Sequence, residues 1–538
     1  MNTLMPGTFD AEHESSWSDF SDFFWSRADL ENRYLTTLDH DSGLRQEWTV
    51  KQWRELVTAV AGQLHARSVR AGNVVATLAG NTADALAAAY ACWLLGAAVM
   101  PLNPEDPVSR QKFILGDSGV ELLIYSPANA AVAMQLAAAV SLTATPVEDI
   151  RDANPNSGFM PVTIGTGGGL DVSALRIYTS GTTGNPKAVD LTIRNLLLHT
   201  EGLGKAISWG EGDRVMTVLP IHHVNGLLIS CLLPWSTHAS TVLADRFRSS
   251  SFWDDVESEG ATVCSVVPSL LEFLLAQGGR RPDGFREVLC GAGPLLKDTV
   301  LAFEERFDVA VRHLYGLSET TAVATIMPDI PIAERLRLYT EFGFPSIGKS
   351  IPLVEVSVLD DRGNEAAANE RGELAIRGGT VMRGYAGSSE ANAAAFRNGW
   401  FLSGDEGFWV PVGAERFFFI TGRRKELIIR GGVNIAPVEI DAVIMSHPAV
   451  RSALAIPFDN RFYGEEIAAF VVPAEDVDPD ELIAYCVARL GYSRSPKVVI
   501  FGTSVPFTAT GKAKRLELKR NLAEQLSPYR DVQFRQSS

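Results

Sequence analysis

Apolar runs alternate with amphipathic stretches along most of this chain. A helical pattern runs from Val50 to Ala66. The short apolar run VVATLAG then reads as a strand, and the alanine-rich DALAAAYACWLLG as a buried helix. VMPLNP reads as a strand ending in a turn, and ELLIYS repeats the strand pattern. The alternation continues through RVMTVLP, LLISCLLPW, TVLA, TVCSVVPSLLEFLLAQ and REVLCGAGPL. Such alternation predicts parallel, doubly wound sheets. The first 45 residues are aromatic-rich and show no regular period.

From about Ile351 the texture changes. VEVSVLDDRGNEAA, RGELAIRG and RFFFITGRR read as antiparallel strands joined by polar turns. A last unit begins near Gly422 with ELIIRG, VEIDAVIMSHPAV, SALAIPF, IAAFVVP, ELIAYCVARL and KVVIFG, an α+β unit of ordinary domain size. The expected fold class is α/β: a large N-terminal domain of two doubly wound subdomains plus a small β-barrel-like subdomain, followed by a small, mobile C-terminal α+β domain. The expected boundaries are 1–421 for the large domain, 422–425 for a hinge and 426–538 for the small domain.

Composition narrows the partners. The 538 residues are 46% hydrophobic and 21% charged, as in soluble enzymes. The formal charge of −16 argues against nucleic acid, whose phosphates call for clustered Lys and Arg. No apolar run is long enough for a membrane span, and MNTLMPGTFDAEHESSW lacks a signal-peptide pattern. Cys92, Cys231, Cys264, Cys290 and Cys486 stand singly in apolar surroundings, which predicts reduced thiols and a cytoplasmic location.

The chemistry concentrates in ALRIYTSGTTGNPKAVDLTIRNLLLH, which reads as strand, loop, strand and helix, with Thr192 as the helix cap. A Gly-rich stretch, 163–173, precedes it. Hydroxyls and N–H groups of Thr179, Ser180, Gly181, Thr182, Thr183 and Gly184 can surround phosphate oxygens, and Lys187 adds a positive charge. The loop is not the common nucleotide loop, in which Gly-Lys is followed by Ser or Thr.

YTSGTTGNPK resembles the phosphate loop of the adenylate-forming enzymes, the superfamily of acyl- and aryl-CoA synthetases, peptide-synthetase adenylation domains and beetle luciferases. Six further motifs follow in the family's order: LPIHHVNG, GAGPL, YGLSETT, SGDEG, GRRKELIIRGGVNIAPVEI and VPFTATGKAKR. The resemblance covers about residues 45 to 525 and implies an acyl-CoA ligase. A carboxylate attacks the α-phosphate of ATP, pyrophosphate leaves, and CoA thiol then takes the acyl group from acyl-AMP. Positioning and charge neutralisation dominate such chemistry.

The resemblance assigns roles by position. Glu319 is the Mg²⁺ ligand, in keeping with the preference of hard cations for carboxylate oxygen. Tyr315 stacks on adenine, opposite Gly291, Ala292 and Gly293, and His313 lies near the adenine amino group. Gly316 and Ser318 belong to the same nucleotide loop. Asp405 accepts the ribose hydroxyls and Arg423 is the second ribose contact. Lys512 is the adenylation lysine, and His223 gates the thiol tunnel. His222 and His223 are adjacent, and only one can point inward if the segment is extended. Lys425 stands at the hinge, and Gly431 and Gly432 let the backbone approach the pantetheine arm of CoA. By register, Val224, Asn225, Gly226, Ser265, Val267, Gly291 and Ala322 line the acyl pocket. That lining reads as small and apolar, suited to an aliphatic, alicyclic or aryl acid. The resemblance admits a homodimer.

Four residues depart from the family pattern. Ala188 replaces a usual Gly, Phe507 a usual Lys or Arg, Ala513 a usual Ile or Val, and Ile193 a common His. If position 188 required a positive φ, its Cβ would cost about 1–2 kcal/mol. All four touch the ATP half of the cycle, whereas GGVNIAP is intact. This leaves a second reading, an enzyme that forms thioesters or delivers acyl groups to a carrier protein with weak adenylation. A third is a catalytically inert nucleotide- or acyl-binding protein.

Overall fold

The computed structural model describes residues 15–151, 169–179, 186–506 and 513–534. Within them the α/β alternation builds two sheets. In the first, of seven strands, the order is Gly384–Tyr385, Lys187–Thr192, Ser173–Thr179, Ala98–Pro101, Val74–Leu78, Leu122–Tyr125 and Thr143–Pro146. Pairing is parallel from Ser173–Thr179 onward and antiparallel at the two preceding pairs. Val74–Leu78 is buried along its whole length, as a central parallel strand covered on both faces must be.

The second sheet has nine strands, in the order Lys349–Ser350, Thr325–Ile326, Ala310–Tyr315, Glu287–Cys290, Val263–Val266, Arg214–Thr217, Ser240–Ala244, Arg33–Asp39 and Leu44–Thr49. It is parallel in its middle and antiparallel at both ends. The third sheet is antiparallel and curled: Val354–Leu359, Gly372–Gly378, Trp400–Val412 and Phe396–Arg397, with Glu415–Arg423 also on Trp400–Val412. The fourth joins Val433–Ile435, Ile428–Arg430, Gly464–Pro473 and Val450–Asn460, with Val498–Phe501 parallel to Gly464–Pro473. It packs against the helices Pro437–Met445 and Pro479–Leu490, with Ile428, Ile440, Ile444, Ile467 and Leu482 in its core. The fold is the expected α/β class, two doubly wound sheets and a curled sheet followed by a separate C-terminal α+β unit.

The N-terminal segment differs from its irregular reading. It holds the helix Phe20–Ser26, capped by Asp19, and the strands Arg33–Asp39 and Leu44–Thr49. Phe20, Phe23 and Phe24 are buried, and the Phe20 and Phe24 rings meet Tyr90, Trp93 and Trp235. The second strand lies at the sheet edge and is mostly exposed, so it carries no alternating pattern that would announce it. The run LLISCLLPW is another case, because part of it lies in a π-helix, Asn225–Leu232. π-segments are rare and concentrate at functional sites. The carbonyl of Cys231 in that helix accepts from the Tyr34 and Tyr90 hydroxyls, and that of Ser230 from Thr241. Pro234, which has no N–H, follows in the next turn.

Candidate active site

The phosphate-loop hairpin is set by the sequence pattern that announced it. Thr179 pairs with Lys187 and Tyr178 with Ala188 across two antiparallel strands. Thr192 caps the helix Ile193–Ala206 in a capping box with Asn195. Ser180, Gly181, Thr182, Thr183 and Gly184 lie outside the described residues, as do Lys512, Phe507 and residues 163–168 of the Gly-rich stretch.

Two chains of side chains converge on the loop after Tyr315. In the first, the Lys187 ammonium lies 4.9 Å from the centroid of the Tyr385 ring. The Tyr385 hydroxyl donates to Glu319 Oε1 at 2.9 Å. Burial, and then the Glu319 charge, push the Tyr385 phenol far above its ordinary pKa, so it remains a donor. Glu319 is 9% exposed, and its carbonyl accepts from Met382 N–H at 2.8 Å. Glu319 Oε2 has no hydrogen-bond partner among the described residues. A buried carboxylate with one oxygen held and one open suits a hard divalent cation such as Mg²⁺.

In the second chain, the Tyr315 hydroxyl donates to Asp405 Oδ2 at 2.8 Å, and Arg423 Nε meets Asp405 Oδ1 at 2.8 Å. Asp405 and Arg423 face each other in register across the hairpin of Trp400–Val412 and Glu415–Arg423, which is why SGDEG and TGRR form one unit. Asp405 is 3% exposed, whereas the Arg423 side chain is about half exposed. Burial, then the Asp405 charge, raise the Tyr315 phenol well above its ordinary range.

Between these chains the backbone is tight. A Cβ on Gly316 would lie 1.9 Å from the Ala322 carbonyl oxygen, and one on Gly291 2.8 Å from that of Leu314. Ala292 is exposed and takes φ +65°. Ser318 and Glu319 sit in a single 3₁₀ turn, followed by Thr321 at φ +66° and Ala322 at +154°. Two side chains hold that strained turn. The Thr321 hydroxyl donates to the Thr380 carbonyl at 2.6 Å, and Val323 N–H donates to His199 Nε2 at 3.2 Å. Burial lowers His199 to about 3, so its imidazole stays neutral and keeps an acceptor nitrogen. His313 is also buried, and burial lowers it to about 4 despite its contact with a carbonyl. Its Nδ1 donates to the Ser346 carbonyl at 3.0 Å, which orients the ring.

The histidine segment is not extended. His223 N–H bonds to the Pro220 carbonyl at 3.1 Å and the chain turns directly into the π-helix. The His222 and His223 rings therefore lie side by side, their centroids 4.4 Å apart, and both are partly buried. The alternation argument that only one of them can point inward does not apply. Burial, then the neighbouring His223, depress His222 to about 3, and its buried Nε2 has no partner. Asn81 fixes the turn, donating to the Leu219 and Ala244 carbonyls at 3.0 and 2.9 Å and accepting from Ile221 N–H at 2.9 Å. A Cβ on Gly226 would lie 2.5 Å from the Pro220 carbonyl oxygen, so only glycine lets the helix start this close to the turn. Ser265, fully buried, donates to Asn225 Oδ1 at 2.6 Å, joining helix to sheet. Val224, Val267 and Ala322 are half-buried.

Position 188 does not need a positive φ. Ala188 lies inside the strand Lys187–Thr192, 4% exposed, and is not among the residues with left-handed backbone. Its Cβ carries no conformational cost there. Ile193 is buried at the first position of its helix, and Ala513 packs on the C-terminal core.

Gly431 and Gly432, at φ +57° and +83°, form the exposed turn between Ile428–Arg430 and Val433–Ile435 on the fourth sheet. Gly431 N–H donates to the Tyr463 carbonyl at 2.7 Å. Among the described residues they make no hydrogen bond to the site residues of the first three sheets. Lys425 is exposed between the last strand of the third sheet and the first of the fourth. Buried Arg515 links Glu426 at 3.4 Å with Asp441 Oδ2 at 2.5 Å.

Sequence reasoning missed Tyr385, His199 and Asn81. The dipeptide Gly384–Tyr385 closing VMRGY is a local signal for the first, and a histidine within the apolar face of LLLHT for the second. Asn81 has no local signal.

The profile of the AMP-binding enzyme family matches residues 31–386, and that of the AMP-binding enzyme C-terminal domain matches residues 439–512. The sulfoacetate–CoA ligase of Cupriavidus necator is 34% identical over 447 residues, covering 81% of this chain and 85% of its own. The oxalate–CoA ligase of Arabidopsis thaliana is 31% identical over 471 residues, covering 85% and 90%. Among solved structures, the o-succinylbenzoate CoA synthetase of Bacillus subtilis with its acyl-adenylate intermediate superposes with a TM-score of 0.81 at 28% identity, covering 92% of this chain and 97% of that one. The same synthetase with ATP and magnesium ion gives 0.80, covering 92% and 99%.

Proposed function

Because the chain belongs to the AMP-binding enzyme family, in its acyl-CoA ligase branch, we propose that it activates a carboxylic acid with ATP as acyl-AMP and transfers the acyl group to the thiol of CoA. The observation that carries this reading is the convergence of the Lys187–Tyr385–Glu319 and Tyr315–Asp405–Arg423 chains on one strained turn. One chain presents a cation and an open carboxylate oxygen, as a triphosphate requires. The other presents a ring and a buried carboxylate, as a nucleoside requires.

In the first step a carboxylate oxygen attacks the α-phosphorus, the bond to the β-phosphate breaks, and pyrophosphate leaves. Lys187 and Lys512 neutralise the charge that gathers on the phosphates and the incoming carboxylate. Glu319 would hold Mg²⁺, which supplies further neutralisation on the phosphate oxygens. Asp405 accepts the ribose hydroxyls while Arg423 and the Tyr315 hydroxyl hold it in place. Tyr315 gives the adenine a face between Gly316 and the Gly291–Gly293 loop, and His313 stands at the amino-group end.

In the second step the CoA sulfur attacks the acyl carbonyl carbon, the bond to AMP breaks, and the thiol proton is released. The exposed Gly431–Gly432 turn is the surface we assign to the pantetheine arm, and the His222–His223 turn the gate. Such an exchange needs a hinge, assigned to residues 422–425 between a large domain (1–421) and a small one (426–538). Its support is the change of sheet between Arg423 and Ile428, with exposed Lys425 between them.

The test follows acid-dependent pyrophosphate release and CoA-dependent thioester formation over a broad panel of acids. The Lys512→Ala variant should lose at least about 100-fold in the first assay while keeping thioester formation from supplied acyl-AMP. Absence of acid-dependent pyrophosphate release across the panel sinks the proposal.

A further inference from the structure

One short segment ties the strand of Lys187 to the turn of Glu319. Residues 379–386, Gly-Thr-Val-Met-Arg-Gly-Tyr-Ala, follow the strand Gly372–Gly378 and bond to both elements. Toward the strand Lys187–Thr192, Arg383 N–H donates to the Asp190 carbonyl at 3.1 Å and Ala386 N–H to the Ala188 carbonyl at 2.8 Å. Gly384 and Tyr385 pair with Asp190 and Val189. Three further bonds hold the Glu319 turn. The Thr380 carbonyl accepts from the Thr321 hydroxyl at 2.6 Å, Met382 N–H donates to the Glu319 carbonyl at 2.8 Å, and the Tyr385 hydroxyl donates to Glu319 Oε1 at 2.9 Å. The spacing of the Lys187 ammonium and the Glu319 carboxylate is therefore set through this segment.

Asn195 fixes the segment in turn. It is the third residue of the helix Ile193–Ala206 and is 7% exposed. Its Oδ1 accepts from the Thr192 N–H and hydroxyl at 2.8 and 2.9 Å. Its Nδ2 donates to the Gly379 and Val381 carbonyls at 2.8 and 2.9 Å. Both donors and both acceptor positions of the carboxamide are used. The oxygen alone completes the capping box. The two bonds from the nitrogen reach 184 and 186 residues along the chain and serve the segment only. Gly379 permits this approach, because a Cβ there would lie 2.2 Å from Leu198 Cδ1.

Resting on the ligase reading above, we propose that Asn195 is a positioning residue for adenylation: its carboxamide seats segment 379–386, which sets Glu319 at the distance from Lys187 that a magnesium–triphosphate group requires. Asn195 touches no substrate in this role. The Asp405–Arg423 pair hangs on a different hairpin, so the effect belongs to the triphosphate end of the site. Groups that hold a cation ligand from behind change cation affinity or activity by about 10- to 100-fold when lost.

The test measures ATP affinity of the full-length enzyme by calorimetry with and without Mg²⁺, and takes the ratio as the Mg²⁺ gain. Asn195→Asp keeps the size and the capping oxygen but removes both donors. Thr321→Val keeps the shape but removes the hydroxyl that grips the segment. In both, the Mg²⁺ gain should shrink about 10- to 100-fold and acid-dependent pyrophosphate release should fall to a similar degree. Thioester formation from supplied acyl-AMP should stay within about threefold of the wild type, because the triphosphate has already left. Asn195→Asp decides, or Thr321→Val where circular dichroism shows that the first does not fold. A Mg²⁺ gain within about threefold of the wild type in the deciding variant overturns the inference, and so does an equal loss in both half-reactions, which marks a general loosening of the fold. Either result leaves the ligase reading standing, since the wild type still releases pyrophosphate. A wild type without any Mg²⁺ gain overturns the inference together with the Glu319 assignment, whereas only absent pyrophosphate release across the acid panel removes the ligase reading.

Discussion

Position 188 offers a direct contest between motif and fold. The family pattern has glycine there, and if glycine were required for its backbone angles, Ala188→Gly would restore adenylation. The fold dictates otherwise. Ala188 lies within a strand, 4% exposed, opposite Tyr178, and its carbonyl accepts from Ala386 N–H at 2.8 Å. Removing its methyl forfeits about 0.8 kcal/mol of apolar burial. A glycine inside a strand loses a further 0.5–1 kcal/mol, roughly, in backbone entropy. The sum is about 1–2 kcal/mol of stability. At about 2–4 °C per kcal/mol, the melting temperature should fall by about 2–8 °C. The neighbouring Lys187 is placed over Tyr385, which holds Glu319, so a looser strand can only blunt that chain. Pyrophosphate release should stay level or fall. Thermal denaturation followed by fluorescence, alongside continuous pyrophosphate detection, gives both numbers. A variant that releases pyrophosphate more than about threefold faster, with its melting temperature intact, would refute this account and restore the reading of weakened adenylation.

Asp405→Asn keeps the shape but removes the charge shared by Tyr315 and Arg423. Hydrogen bonds to a charged group contribute about 1.5–3 kcal/mol, so ATP affinity should fall about 10- to 150-fold with the KM for CoA little changed. A shift below threefold contradicts the ribose assignment. Gly316→Ala places a Cβ 1.9 Å from the Ala322 oxygen, which must displace the turn carrying Glu319. A displacement near 1 Å predicts a loss of about 100-fold in kcat/KM, with circular dichroism unchanged, and near-normal turnover is the refuting result. His40 bonds to both Asp245 and Asp255, the latter at 2.9 Å. Burial alone would lower its pKa, but these carboxylates outweigh burial and raise it. The folded state therefore binds this proton more tightly than the unfolded chain. The stabilisation is full below pH about 6.5 and fades as pH rises through the higher folded value. His40→Gln should cost more stability at pH 6 than at pH 8.5 in parallel denaturant titrations, and a cost independent of pH excludes the link.

Much of the site could be read from residues close in sequence. Thr192 as a cap and the strand, loop and strand around the phosphate loop follow from local spacing and strand period, whereas Asp405 and Arg423 are named by the family resemblance and are paired only by the hairpin. The edge strand Leu44–Thr49 and the helix Phe20–Ser26 were illegible, because an exposed edge strand has no apolar face to show and a seven-residue aromatic helix has little period. The expectation that only one of His222 and His223 points inward depends on an extended backbone, and the chain turns at Pro220 instead.

The sequence by itself determined the α/β class, the order of the seven motifs and the residue types of the candidate site. Each of these depends on contiguous residues, whose periodicity and backbone requirements are written locally. Only the tertiary structure decided that Tyr385 joins Lys187 to Glu319, that His199 props the strained turn at Thr321–Ala322, that position 188 is an ordinary strand residue, and that Asn225 meets Ser265. The three contacts join elements far apart in the chain. They exist because sheet order and helix packing bring those elements together, and no local pattern of hydrophobic and polar residues encodes which partner a buried polar atom will find.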